Sequence, residues 1–129
     1  MGIRVMVVDD EPEVRALFVD VLERHGHTVH ALADGQSALE LAAREPIDLA
    51  FLDIKMPGLS GVETLSRLRV LQPQATCVMV TGYADNHLVD QCMALGAEIC
   101  MCKPIGMREL LDMVEMAAGS AAEPAGAEG

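Results

Sequence analysis

The stretch Ile3-Arg4-Val5-Met6-Val7-Val8-Asp9-Asp10-Glu11 begins with apolar residues at nearly every position and ends in three consecutive acids. A short apolar run without alternation is typical of a parallel strand that is covered on both faces. The acids therefore lie directly after a buried strand, at its carboxyl end.

Three further runs repeat this pattern along the chain. Residues 48–52, 76–80 and 99–102 are each of strand length and mostly apolar at successive positions. A weaker run, residues 27–32, alternates polar with apolar residues and suits the edge of a sheet. The sequence thus predicts five strands.

Helical periodicity fills the intervals between the strands. The first interval carries apolar residues at i, i+3, i+4, i+7 and i+8, which predicts one inward helix face: Val14, Leu17, Phe18, Val21 and Leu22. Asp10 is expected to cap this helix and Gly26 to end it. Four more helices are expected from residue 34, over 62–72, over 84–95, and around residues 110–114.

Strand and helix therefore alternate five times, which predicts an α/β fold with a parallel sheet and helices on both faces. Right-handed crossovers and a doubly wound five-stranded sheet lead to the flavodoxin-like strand order 2-1-3-4-5. We expect one folded domain over residues 1–118. Residues 119–129 contain only Ala, Gly, Glu, Ser and Pro, so they are expected to form a disordered tail or the start of a linker.

The composition limits the class of partner. The net charge is −11 and the sequence pI is about 4.5, which argues against direct contact with nucleic acid or an anionic membrane. No signal-peptide pattern or membrane-length apolar run occurs, so a cytoplasmic location with reduced thiols is expected.

Polar residues follow each of four predicted strands. Asp9-Asp10-Glu11 follows the first strand, Asp53 the third, Thr81-Gly82 the fourth and Lys103-Pro104 the fifth. Because ligands of doubly wound sheets bind at the carboxyl ends of the strands, these side chains are expected to converge.

This set of residues suits phosphoryl transfer. Clustered carboxylates resist ionising together, and Mg²⁺ relieves their repulsion while sharing its shell with phosphate. Lys103 offers a positive charge and Thr81 a hydroxyl to phosphoryl oxygens. One carboxylate could then act as a nucleophile and form an acyl phosphate.

The chain resembles the receiver domains of two-component response regulators over about residues 3–118. Five motifs appear in the family's order: residues 7–12 (Val-Val-Asp-Asp-Glu-Pro), residues 52–58 (Leu-Asp-Ile-Lys-Met-Pro-Gly) with Gly61, residues 80–82 (Val-Thr-Gly), Gly96-Ala97, and Lys103-Pro104. A single acidic pair would be weak, but five ordered motifs are specific.

The resemblance implies a role for each site residue. Asp53 would accept the phosphoryl group from a sensor histidine kinase or phosphotransfer protein. Asp10, Asp53 and the Lys55 backbone carbonyl would bind Mg²⁺ directly, and Asp9 would hold the ion through water. Thr81 and Lys103 would contact phosphoryl oxygens, with a cis Lys103–Pro104 bond. Such a domain catalyses only its own phosphorylation and dephosphorylation, and is not a turnover enzyme.

The chain departs from the family pattern in the region that reports phosphorylation. Cys100 occupies the position of an aromatic residue that changes orientation in the family, and Met79, Met101 and Tyr83 are candidates to take its place. A dimer or partner surface is expected at the fourth helix, fifth strand and fifth helix.

Two side chains beside the acceptor suggest a control on its lifetime. Lys55 and Tyr83 lie two residues after Asp53 and Thr81, and we expect their bulk to slow hydrolysis of the acyl phosphate.

Three other functions compete with this interpretation. A phosphatase of the haloacid dehalogenase type would want an acid where Lys55 stands. A nucleotide or flavin module would want a Gly-rich phosphate loop, which is absent after the first strand. A phosphorylation-independent interaction module on the same fold is the least favoured of the three on chemistry, because all five site positions are intact, but the Cys100 departure keeps it open.

Two groups of possible metal ligands are not expected to form a metal site. Cys100 and Cys102 lie on one face of a predicted strand, but no second pair completes a zinc site, so both are expected to be buried thiols. His25, His27 and His30 are expected at the surface.

Overall fold

The computed structural model describes residues 2–82 and 85–122, and strands and helices alternate throughout. The ten elements are β1 (Arg4–Val8), α1 (Pro12–Arg24), β2 (Thr28–Leu32), α2 (Gly35–Ala42), β3 (Leu49–Asp53), α3 (Gly61–Leu71), β4 (Thr76–Thr81), α4 (Asn86–Ala94), β5 (Ile99–Cys102) and α5 (Met107–Ala122).

The strands form one parallel sheet in the order β2-β1-β3-β4-β5. The predicted fold class and strand order are confirmed, and β2 lies at an edge as its alternating pattern predicted. The central strand β3 is buried at every position, which explains why its sequence shows no alternation.

Successive side chains of each strand point to opposite faces, so the sheet has two hydrophobic cores. Met6 and Val8 of β1 belong to a core shared with α2, α3 and α4. Val5 and Val7 belong to the opposite core, which is shared with α1 and α5.

The first turn of α1 differs from the prediction. The N-cap residue is Glu11 rather than Asp10, and its side chain makes no capping hydrogen bond. Asp9 Oδ1 instead accepts a hydrogen bond of 2.9 Å from the Glu11 backbone N–H. The expected cap by Asp10 is therefore wrong, because the chain turns one residue later and Asp9 satisfies the free N–H.

Two side chains that were expected in the interior are exposed. Leu17 is 49% exposed, because the part of α1 that carries it borders an open cleft. Cys102 is exposed and Cys100 is only partly buried, because β5 is an edge strand and Cys102 ends it. The prediction of two buried strand thiols is wrong for Cys102.

The C-terminal helix passes the predicted domain boundary. α5 continues to Ala122, whereas the folded unit was expected to end at residue 118. The rest of the predicted tail lies outside the described residues, so the division at residue 118 stays a prediction.

His27 has a structural role that the sequence did not show. The ring is half-buried, and its Nδ1 atom accepts a hydrogen bond of 3.1 Å from the backbone N–H of Ile3. Burial, together with the charge of nearby His25, lowers the pKa of His27. A protonated Nδ1 could not accept this bond, so the neutral ring is the form that stabilises the fold.

Acidification is therefore expected to destabilise the protein through His27. Because the folded-state pKa lies below the unfolded value, the unfolded chain binds more protons as pH falls from 7.5 to 5.5. Between pH 7.5 and 5.5, the free energy of unfolding measured in urea should fall by on the order of 0.5 kcal/mol more in the wild-type protein than in His27→Asn. The asparagine amide oxygen can accept the same hydrogen bond but does not titrate. If the free energy of unfolding falls equally with pH in the two proteins, the role of His27 is contradicted.

Candidate functional site

The carboxyl edge of the sheet gathers the polar residues that follow β1, β3, β4 and β5. Asp9 and Asp53 are buried at 2% and 5% exposure, and Thr81 is buried at 1%. An open cleft of ≈ 690 Å³ lies over this edge and is lined by Asp10, Asp53, Thr81, Lys103 and neighbouring residues. The predicted convergence of these side chains is observed.

Three carboxylates form one cluster. Each of Asp9, Asp10 and Asp53 offers an oxygen such that these atoms lie within 4.8 Å of one another. Carboxylate oxygens are donors that Mg²⁺ prefers. The cluster therefore fits a small divalent cation.

Lys103 lies among the acids as their counter-charge. Its Nζ atom is 2.8 Å from Asp9 Oδ2, 2.7 Å from Glu11 Oε1 and 3.2 Å from Asp53 Oδ2. The preceding strand β5 brings it there, and the Lys103–Pro104 bond is cis, as the resemblance implied.

Burial and charge act in opposite directions on the two central groups. Burial, followed by the charge of Asp9, raises the pKa of Asp53, while Lys103 partly offsets both effects. Burial lowers the pKa of Lys103, but the contacts with Asp9 and Glu11 and the charges of Asp53 and Asp9 together outweigh burial and leave the pKa above its usual value. Lys103 thus remains an ammonium group beside carboxylates whose repulsion it only partly relieves.

The loop after β1 is fixed by backbone contacts around Asp9. The Asp9 backbone N–H donates to the Leu32 carbonyl at 3.1 Å, and Arg15 Nη1 donates to the Asp9 carbonyl at 2.7 Å. Since Asp9 Oδ1 also accepts from the backbone N–H of Glu11, Asp9 is held through both its backbone and its side chain. These contacts orient the carboxylate before any cation binds.

The end of β3 is fixed by close packing against α3. Asp53 Oδ1 accepts a hydrogen bond of 3.2 Å from the Lys55 backbone N–H. A Cβ atom at Gly61 would overlap the backbone of Asp53 and Ile54, so the close approach of the two segments requires glycine at this position. The Asp53 carboxylate therefore stands on a constrained backbone.

Sequence reasoning missed two members of the site. Glu11 was recognised only as part of the acidic run, but its carboxylate makes the shortest of the Lys103 contacts. Arg15 was not considered, although it binds the Asp9 carbonyl. Both lie at the start of α1, Glu11 as its N-cap residue and Arg15 in its first turn, and this position beside the carboxyl edge was a possible signal.

Two predicted details remain untested. Lys55 is exposed and lines the cleft, but its role as a metal ligand through its carbonyl stays a prediction. Tyr83 lies outside the described residues, so its expected shielding of the acceptor and its possible movement stay predictions too.

The family model for the response regulator receiver domain matches residues 5–115. The chain belongs to this family. The receiver-domain resemblance inferred from five motifs is thus confirmed over most of the chain. The chain is a receiver domain of the two-component response regulators, and the phosphatase and flavin-module alternatives have no support in this match.

Similar receiver proteins agree with this assignment. The sporulation initiation phosphotransferase F of Bacillus subtilis is 30% identical over 115 residues, which is 89% of this chain and 93% of that protein. The transcriptional regulatory protein TcrA of Mycobacterium tuberculosis is 35% identical over 84% of this chain, but the match spans only 43% of TcrA. The second relative is therefore a longer protein with a receiver-like portion.

Solved receiver structures confirm the fold. A CheY-like receiver domain protein from Methanospirillum hungatei superposes with a TM-score of 0.90 at 30% identity, covering 96% of this chain and all of that one. A response regulator from Burkholderia pseudomallei superposes with a TM-score of 0.83 at 28% identity, covering 96% of this chain and 74% of that one. Its crystal structure contains a phosphorylated aspartic acid, a calcium ion and citrate.

Among the described residues, no helix has both the length and the hydrophobicity needed to span a membrane.

Proposed function

We propose that this receiver domain takes a phosphoryl group onto Asp53 from a phosphohistidine of a sensor histidine kinase or phosphotransfer protein. The observation that carries the proposal is the placement of Asp53 at the end of β3, with Oδ2 at 3.2 Å from Lys103 Nζ and with Asp9 and Asp10 beside it. The carboxylate is largely shielded by protein, yet it lines the open cleft through which a donor can approach.

The chemistry requires a carboxylate nucleophile and charge neutralisation. An Asp53 oxygen forms a bond to phosphorus while the bond from phosphorus to the donor atom breaks, and the donor leaves with that electron pair. Lys103 and Thr81 contact the phosphoryl oxygens and stabilise the charge that spreads over them in the transition state. Water later attacks the acyl phosphate and releases inorganic phosphate, so the domain acts only on itself.

The carboxylate cluster fits Mg²⁺, which would neutralise charge on the transferred group. Asp10 and Asp53, with the backbone carbonyl of Lys55, are proposed as direct ligands, and Asp9 as a ligand through water. The raised pKa of Asp53 beside Asp9 supports this assignment, because a nearby cation would relieve the repulsion that burial strengthens.

Similar proteins support the acceptor chemistry. The Burkholderia pseudomallei response regulator carries a phosphorylated aspartic acid and a calcium ion, and the Bacillus subtilis relative is named a phosphotransferase. A phosphorylation-independent module is the weaker alternative, because the acidic cluster and Lys103 are both in place.

The deciding experiment is intact mass after incubation with acetyl phosphate. We expect one phosphoryl adduct with Mg²⁺, much less with chelator, and none on Asp53→Asn. Asp112→Asn, which removes an exposed carboxylate on α5, is the matched control and should be phosphorylated normally. An equal adduct on Asp53→Asn would show that another residue is the acceptor.

Metal binding gives a second prediction that does not depend on phosphorylation. At a Mg²⁺ concentration tenfold above its Kd, the free energy of unfolding should rise by about 1.4 kcal/mol. Asp10→Asn should show a smaller gain at the same concentration, while Asp112→Asn should keep the full gain. Denaturant unfolding with and without Mg²⁺ measures both, and identical gains in all three proteins would contradict the assigned ligands.

The proposed output surface comprises α4, β5 and α5, where phosphorylation would change partner binding or dimerisation. Cys100 lies opposite Met79 in the β4–β5 register and is partly buried against the core that contains Cys92. A thiol cannot turn as an aromatic ring does, so the surface would report phosphorylation through repacking of neighbouring side chains. Sedimentation of the protein with and without the adduct tests for dimerisation.

A further inference from the structure

Lys103 has more anionic partners than a phosphoryl-binding ammonium needs. Its Nζ atom donates hydrogen bonds to Glu11 Oε1 and Asp53 Oδ2 and forms an ion pair with Asp9 Oδ2 at 2.8 Å. A phosphoryl oxygen that arrives on Asp53 therefore competes with these carboxylates for the three N–H donors of the ammonium group.

Glu11 differs from the other two partners in its surroundings. Its side chain is 55% exposed, whereas those of Asp9 and Asp53 are 4% and 7% exposed. Water can solvate the released Glu11 carboxylate at low cost. The contact is nevertheless the shortest of the three at 2.7 Å, and the ammonium lies closer to Glu11 than to Asp53.

Glu11 also lies outside the carboxylate cluster of Asp9, Asp10 and Asp53. A cation in that cluster would weaken the hold of Asp9 and Asp53 on Lys103 by competing for their oxygens. It would leave the Glu11 contact in place, so this carboxylate would be the remaining competitor for the ammonium.

We propose that Glu11 is a positioning residue, which holds Lys103 toward α1 before phosphorylation and competes with the incoming phosphoryl group for its ammonium. The inference rests on the proposed phosphorylation of Asp53. Its consequence is that the contact between Glu11 and Lys103 limits the rate at which Asp53 is phosphorylated.

The test compares Glu11→Gln with Glu13→Gln. Glu13 is an exposed acid in the first turn of α1, so its replacement makes the same change in net charge two residues away. With acetyl phosphate and saturating Mg²⁺, Glu11→Gln should be phosphorylated about three- to fivefold faster than wild type. Glu13→Gln should stay within about 1.5-fold, which accounts for general repulsion of the anionic donor.

A second measurement separates positioning from an effect on the metal. The Mg²⁺ concentration that gives half of the full gain in the free energy of unfolding should be the same in the two variants. Equal phosphorylation rates in both variants would overturn the proposal, and so would a rate gain accompanied by a shift in this Mg²⁺ concentration.

A double-mutant cycle tests the contact without phosphorylation. In metal-free buffer, Glu11→Gln should lower the unfolding midpoint of the wild-type protein but not that of Lys103→Met. If wild type takes up no phosphoryl group but the cycle shows this coupling, the proposed function fails while the contact stands. If the cycle shows no coupling, Glu11 does not hold Lys103 and the inference fails by itself.

Discussion

Replacing Lys103 by methionine is expected to lower the free energy of unfolding by about 3 kcal/mol at pH 7.5 in metal-free buffer. The reason is that Nζ lies within 3.2 Å of Asp9, Glu11 and Asp53. Methionine preserves most of the apolar stem but leaves two buried carboxylates without a counter-charge. Urea unfolding by circular dichroism measures the loss.

Mg²⁺ and acid should each reverse part of this loss. Mg²⁺ supplies positive charge to the same carboxylates. Without Lys103 the pKa of Asp53, already raised by burial and Asp9, rises further. The native state then binds a proton at higher pH than the unfolded chain does, so stability is lost as pH rises and regained as it falls from 7.5 to 5.5.

The same variant should be phosphorylated by acetyl phosphate about 100-fold more slowly than wild type, since a fixed charge at the transferred group is lost. Lys55→Met makes the same substitution at an exposed lysine that lines the cleft. Lys55→Met should lower the free energy of unfolding by less than about 1 kcal/mol. If the two variants unfold at the same urea concentration, the Lys103 contacts do not stabilise the fold.

Phe51→Ala is expected to destabilise the protein by about 3–5 kcal/mol. The Phe51 side chain lies in β3 and is 2% exposed. Its ring packs edge-to-face on Phe18 of α1, with centroids 5.1 Å apart at an interplanar angle of 81°. Truncation would remove this contact and leave a cavity between the sheet and α1.

Equilibrium unfolding in urea measures this loss against two controls. Phe51→Leu keeps much of the volume and should lose less, which keeps the test available if the alanine variant does not fold. Val70→Ala removes an apolar side chain that is 81% exposed and should change stability by no more than about 0.5 kcal/mol. A Phe51→Ala loss no greater than that of Val70→Ala would contradict the packing described for this face.

The packing at Phe51 also bears on the site. α1 starts beside the cleft and carries Arg15, which donates to the Asp9 carbonyl. A change in how α1 packs on β3 would therefore move the loop that holds Asp9 and Asp10.

Most of the fold could be predicted from the sequence because its strands are distinctive. Unbroken apolar runs identify β1, β3 and β4 as buried on both faces, and the acids after β1 mark where that strand ends. Parallel strands place their carboxyl ends at one edge, so Asp9, Asp53, Thr81 and Lys103 could be assigned to one site before any distance was known.

The exposure of individual side chains could not be predicted from local sequence patterns. Periodicity predicted that Leu17 faces inward, but it did not show that part of α1 borders a cleft. Strand alternation placed Cys102 on a face with Cys100, but the cover over that face ends before Cys102 at the sheet's edge.

The sequence by itself determined the order of strands and helices, the edge at which chemistry occurs and the residue types gathered there. Only the tertiary structure decided which of these groups touch. Lys103 meets Glu11 across 92 positions of sequence, and Asp9 rather than Asp10 accepts a hydrogen bond at the start of α1, from the Glu11 backbone N–H. These contacts depend on how each helix is rotated against the sheet and on the path of each loop. Packing of the whole chain sets both, whereas hydrophobic periodicity records only which side of each element is buried.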